Sequence, residues 1–216
     1  MFNKIINELK GTNTRLVAVS KTKPNEQLIE LYKKGQRTFG ENYVGELFDK
    51  FNGLPKDIEW HFIGHLQTNK VKYIAPFVAM IHSVDSFKLL QEINKQAVKN
   101  KRIIKCLFQF HIAEEDSKFG FDTEGVVSFL QSNEFKQLKN IELCGVMGMA
   151  TFTEDKVKVK KEFQKLKSIF DNLKTNYFAD NSAFKDISMG MSDDYKLAIA
   201  EGSTMVRIGS LIFGKR

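Results

Sequence analysis

Eight times along the chain a short, almost wholly apolar run gives way to a stretch whose apolar residues recur at helical spacing. The runs cover 16–19, 38–40, 57–64, 80–84, 102–112, 141–149, 186–190 and 204–208. A parallel strand is buried on both faces and so reads as a near-continuous apolar run rather than an alternating one. Eight strand-plus-helix units in one chain is the count of a single (β/α)₈ barrel, a TIM barrel of class α/β. A doubly wound open sheet is the competing arrangement. It places its phosphate-binding glycines after the first strand, where this chain has Ser20, Lys21, Thr22 and Lys23 instead.

The helical stretches are bounded by ordinary signals. Gly11 closes a helix over 2–10, Pro24 and Asn25 open the next and Gly35 ends it, while Thr68 and Ser86 stand at N-cap positions. Helices are expected over 122–132, over 153–174 and from Ser192 to Ala200. With three prolines and no Ser/Gly linker in 216 residues, one domain spanning 1–216 is expected.

Charge and cysteine usage narrow the setting. The formal net charge is +7, and the densest basic stretch, 156–174, carries Val157, Phe163, Leu166, Ile169, Phe170 and Leu173 on one helical face. The lysines then lie on a solvated face, and without an aromatic platform nucleic acid is not an expected partner. Cys106 and Cys144 sit inside apolar runs and read as buried thiols, as expected in a reducing compartment. The start of the chain is amphipathic, and no run approaches the roughly 18 apolar residues of a membrane span. A cytoplasmic monomer with no membrane partner is the expectation.

In a barrel the chemistry collects just after the strand C-termini, with phosphate held after strands 7 and 8. The first strand there delivers Lys21 from a dry core to its rim, where desolvation lowers the pKa of an amine and makes it a nucleophile toward an aldehyde. Asn42, Gln67, Asp85, Lys118 and the segment 147–149 follow strands 2 to 6. Ser192, at an expected helix start, and Gly209 with Ser210 outline a phosphate cup, although an N-cap and a tight turn would also account for them.

The other chemistry-bearing residues read as structural. His61 and His65 have i, i+4 spacing but flank a strand and lack the glutamate of a helical zinc motif. His82 and His111 read as core or strand-end residues, and no metal site is expected. Glu41, Asp85 and Asp116 have no partner at a recognisable spacing. Lys118 reads as a loop lysine or a second amine near the mouth.

Five segments carry a family resemblance: AVSKTKP (18–24), FGENYVGE (39–46), HFIGHLQTNK (61–70), GVMGMA (145–150) and the stretch 188–214 that begins SMGMSDD. Together they resemble the YggS/PROSC family of pyridoxal phosphate homeostasis proteins. The resemblance implies a barrel similar to the N-terminal domain of alanine racemase without that enzyme's second domain, and pyridoxal 5'-phosphate (PLP) as cofactor. It implies that Lys21 forms the Schiff base and Lys23 is its non-covalent neighbour. Arg207 then faces the pyridine nitrogen, Ser192, Gly209 and Ser210 contact the phosphate, and Asn42 and Met147 line the pocket. His65 departs from the family at a position where bacterial relatives often have proline.

A guanidinium holds its proton and so discourages protonation of a ring nitrogen beside it, which leaves the ring a weak electron sink. Enzymes that need a strong one place a carboxylate there. The resemblance therefore implies a protein of intracellular PLP homeostasis, without robust catalysis, whose partners are PLP and apo forms of PLP-dependent enzymes. The alternatives are a PLP-dependent amino-acid racemase or lyase and, further off, a sugar-phosphate aldolase with a lysine imine.

Overall fold

The structure is a computed structural model that describes residues 1–113 and 120–214. Eight parallel strands close into a barrel in chain order: β1 (Arg15–Val19), β2 (Thr38–Glu41), β3 (Glu59–Phe62), β4 (Met80–Val84), β5 (Ile104–Gln109), β6 (Ile141–Met147), β7 (Asp186–Ser188) and β8 (Met205–Ile208). Closure is by β1 on β8, with Leu16 opposite Val206 and Val17 opposite Arg207. The barrel expected from the eightfold alternation is the one observed.

Around it run α1 (Phe2–Leu9), α2 (Asn25–Lys33), α3 (Val44–Gly53), α4 (Val71–Ile74), α5 (Phe87–Lys99), α6 (Thr123–Leu130), α7 (Asn133–Lys136), α8 (Lys156–Asn176), α9 (Tyr195–Ala200) and α10 (Ser210–Phe213). Several bounds differ from expectation for local reasons. Thr68 caps no α-helix, because a 3₁₀ turn, Thr68–Lys70, precedes α4. The helix expected over 122–132 ends at Leu130, and Ser132 then caps α7 through its bond from Phe135 N–H.

The basic helix α8 begins where Asp155 accepts from the N–H groups of Val157 and Lys158. Its buried face runs through Val159, Phe163, Leu166 and Leu173, and Val157 is 65% exposed. Two residues advance a helix by about 200°, so Val157 and Val159 cannot share a face.

Alternation along the strands, with register shifts in β4 and β6, separates two cores. Outward residues such as Leu16, Ala18, Phe39, Trp60 and Ile81 form the large cluster beneath the helices. Inward ones, Val17, Met80, Leu107, Cys144, Met147 and Met205, fill the barrel interior. Both cysteines are free and buried. Among the described residues no helix is long and apolar enough to cross a membrane.

Candidate functional site

Continuing the inward positions past the strand C-termini leads into one cavity of about 320 Å³ at the mouth of the barrel. Val19 and Lys21 enter it from β1, Asn42 from β2, Ile63 from β3, Met149 from β6, Met191 and Ser192 from β7, and Arg207, Gly209 and Ser210 from β8. Phe152, 84% exposed, stands at its rim. A neighbouring cavity of about 560 Å³, with Asn42, Gln67, His65 and Tyr73 in its wall, contains neither Lys21 nor Arg207.

Of the residues singled out from the sequence, Lys21, Asn42, Ser192, Arg207, Gly209 and Ser210 share the first cavity. Met147 does not. It is 1% exposed in the interior cluster, and the residue two positions on, Met149, lines the cavity instead, as the strand period requires. Ser192 does not open α9: Asp194 stands at the N-cap position, and its carboxylate reaches back to accept from Met191 N–H at 2.5 Å. Ser192 lies in the resulting turn. Lys118 and Asp116 lie outside the described residues.

Lys21 is half-buried at the tip of β1, whereas the Lys23 ammonium donates to the carbonyls of Phe213 and Gly214 at 3.3 and 3.1 Å. On the far wall Gly209 comes so close to β1 that an added Cβ would stand 3.0 Å from the Val19 carbonyl oxygen. A side chain there would close the gap between the two strands. Ser210 then begins α10, whose first N–H groups have no partner within the helix. The Asn42 side-chain oxygen is buried and takes no hydrogen bond.

Arg207 is 4% exposed and donates to Ser188 O and Ser188 Oγ, both at 2.7 Å, and to Gly148 O at 3.0 Å. All three acceptors are neutral, and among the described residues no carboxylate pairs with the guanidinium. Burial lowers its pKa to about 10, opposed by the charge of Asp194, so it remains a cation at neutral pH. A buried cation whose direct hydrogen-bond partners are all neutral is a place for an anion or a strong acceptor.

Ser188 continues inward. Its Oγ lies 2.9 Å from His82 Nδ1, and His82 Nε2 lies 2.8 Å from His61 Nδ1. Having accepted from Arg207, the hydroxyl has one proton to give. Directed at His82 Nδ1, that proton would leave His82 Nε2 to donate to His61. Burial pushes both rings down, His61 to about 3 and His82 well below the usual imidazole value, the latter helped by His61 and Arg207. The two are the structural histidines the sequence suggested, but they form one polar chain that ends on Arg207.

A sign follows for pH. The unfolded rings take up protons below about 6.5 while the folded ones stay neutral, so stability is full above that value and is lost as pH falls below it. Between pH 7.5 and 5.0 each ring that stays neutral removes about 2 kcal/mol. Urea unfolding at the two pH values measures it, and the double variant His61→Leu, His82→Leu should show a flatter profile. An unchanged slope in that variant would contradict the assignment.

The carboxylate Glu41 is not isolated, contrary to the sequence reading. It is wholly buried on the outer face of β2, where its Oε1 accepts from Ser20 Oγ and from Lys50 Nζ of α3, each at 2.7 Å. Burial raises its pKa against the opposing pull of Lys50. Asp85 is paired as well, with His65 Nδ1 at 3.1 Å. No group of His, Cys, Asp and Glu suited to a metal occurs among the described residues.

The closed parallel barrel, with a lysine ending its first strand and a buried arginine on its last, is of the alanine racemase N-terminal type. The family model described as "Alanine racemase, N-terminal domain" matches residues 2–216. Pyridoxal phosphate homeostasis proteins of Aquifex aeolicus and Homo sapiens are each 40% identical to this chain, over 96% and 97% of it and over 90% and 79% of their own lengths. The chain belongs to the family of pyridoxal phosphate homeostasis proteins. PipY of Synechococcus elongatus, solved with PLP bound, is 30% identical and superposes with a TM-score of 0.87 over 99% of this chain and 98% of its own. Alanine racemase of Clostridium difficile, 18% identical with a TM-score of 0.74 over all of this chain and 55% of its own, shares the fold.

Proposed function

We propose that this chain binds PLP in the barrel-mouth cavity, holds it as a Schiff base on Lys21, and serves cytoplasmic PLP homeostasis as a monomeric carrier that gives the cofactor up to apo-enzymes. The observation that carries the reading is that an amine, Lys21, and a buried cation without a carboxylate partner, Arg207, line one cavity.

The donor set suits the group. The cofactor is a planar phosphorylated aldehyde, and opposite Lys21 the cavity offers the hydroxyls of Ser192 and Ser210, the open backbone at Gly209 and the first N–H groups of α10. The orphaned Asn42 oxygen would take a donor from the ligand or from a water at its edge. When bound, PLP supplies an aldehyde for covalent attachment and a ring that can draw electrons from an attached carbon. Lys21 holds the aldehyde end, with water leaving as the bond forms. Arg207, held by three neutral acceptors, would offer a donor rather than a carboxylate to a ring nitrogen beside it and so would leave the ring a weak sink.

Holding without turnover has a direct test. The PLP-loaded protein is incubated with a panel of L- and D-amino acids in D₂O, and exchange at Cα is followed by NMR. Exchange no faster than with free PLP is expected. Exchange well above that level would make the chain a racemase or lyase. An adduct with dihydroxyacetone phosphate after borohydride reduction would instead support an aldolase.

A further inference from the structure

Lys50 and Glu46 of α3 lie outside the cavity, yet their contacts converge on the residues that flank Lys21. The Lys50 ammonium, 4% exposed, donates to Ser20 O at 2.7 Å, Glu41 Oε1 at 2.7 Å and Glu46 Oε1 at 2.6 Å. The same Glu46 oxygen accepts from Thr22 N–H at 2.6 Å. Ser20 O also accepts from Lys23 N–H at 3.0 Å, which closes a four-residue turn with Lys21 in its second position and Thr22 in its third.

That third position has φ +64°. Turns with a positive φ there call for glycine, and a β-branched residue in the left-handed region is a genuine outlier. Such a conformation persists only where its surroundings over-determine it. Here they do so from both sides: Lys50 fixes the carbonyl that closes the turn, and Glu46 fixes the N–H of the strained residue. A lysine buried among two carboxylates is an expensive way to join a helix to a barrel, since apolar side chains of similar size do it as well or better. Its placement makes sense if what it holds is the turn.

We infer that Glu46 and Lys50 are positioning residues for Lys21, clamping the 20–23 turn in the strained form that directs the amine into the cavity. The inference rests on the proposed covalent attachment at Lys21 and extends it to residues that never touch the ligand.

Glu46 is the better handle, being partly exposed, and Thr22→Gly supplies a rescue, because glycine adopts a positive φ without a clamp. The full chain, Glu46→Ala, and Glu46→Ala with Thr22→Gly are each incubated with limiting PLP, reduced with borohydride, and mapped for pyridoxyl-Lys21. Thermal unfolding is recorded on the same samples without PLP. Glu46→Ala is expected to lower labelling by about tenfold, the size of the charge-assisted hydrogen bond lost at Thr22 N–H, and Thr22→Gly to restore it to within about twofold. A role in general stability predicts otherwise: labelling would then follow the unfolding temperature and glycine would not bring it back.

Wild-type labelling in Glu46→Ala, or no recovery in the double variant, overturns the positioning role. Should Glu46→Ala not fold, Lys50→Met takes its place with the same rescue, and the same two results overturn the role. Absence of label at Lys21 in the unaltered chain overturns the covalent reading itself, and the clamp with it.

Discussion

Lys21→Ala is expected to abolish the imine absorbance band of the PLP-loaded protein and to leave no pyridoxyl group on the chain after borohydride reduction, while the barrel unfolds at an unchanged temperature. The lysine stands at the mouth, half-buried, and its loss opens no cavity in either core. Removing the amine takes away the bond to the aldehyde and leaves the hydroxyls, the open backbone at Gly209 and the guanidinium. Binding should therefore weaken by about 100-fold, about 2.7 kcal/mol, rather than vanish. Lys23→Ala should keep the band, since the Lys23 ammonium is engaged by the carbonyls of Phe213 and Gly214. Equilibrium dialysis with PLP and peptide mapping of both variants measure this. A wild-type yield of label on Lys23 in Lys21→Ala would overturn the choice between the two lysines.

Much of the barrel was legible because a parallel strand must be apolar on both faces. That one requirement produces the runs at 16–19, 80–84 and 141–149 that count out to eight. The site was legible to the extent that a strand end can be read. The period of two carries Val19 on to Lys21 and Arg207 on to Gly209, and on β6 it carries Met147, which lies too deep in the barrel to reach the cavity, on to Met149. Ser192 reads as a helix start because a serine there satisfies the capping rule. Asp194, two residues on, satisfies it as well, and the helix begins after Asp194, with Ser192 in the preceding turn.

Partnerships across elements left no trace. Glu41 and Lys50 are nine residues apart on a strand and a helix, and the spacing matches no motif. His61, His82 and Ser188 lie on β3, β4 and β7, and only closure of the barrel brings them onto one chain of hydrogen bonds. A polar residue inside a run that otherwise reads as buried was the available signal. Such a residue usually has a partner, even when the sequence cannot name it.

Arg207→Met separates what the buried guanidinium does for the fold from what it does for the ligand. Without ligand, the substitution removes three hydrogen bonds to neutral oxygens, and each bond of that charged kind contributes about 1.5–3 kcal/mol. It also removes the cost of keeping a cation out of water with no carboxylate bonded to it, which is several kcal/mol. Methionine fills a similar volume and is flexible enough to do so without strain. The two effects nearly cancel, and the unfolding temperature of the PLP-free protein should move by less than about 4 °C in either direction. PLP affinity has no such compensation. The ring nitrogen loses its donor and the anionic ligand loses a buried positive charge, so binding should fall by about 30-fold or more. The ring, no longer facing a cation, should also become easier to protonate, and the pH at which the bound chromophore titrates should rise. Equilibrium dialysis, thermal unfolding and a spectroscopic pH titration on one preparation give all three numbers. If affinity and stability instead fell together by the same free energy, Arg207 would be a strut of the barrel and not the arm that receives the cofactor.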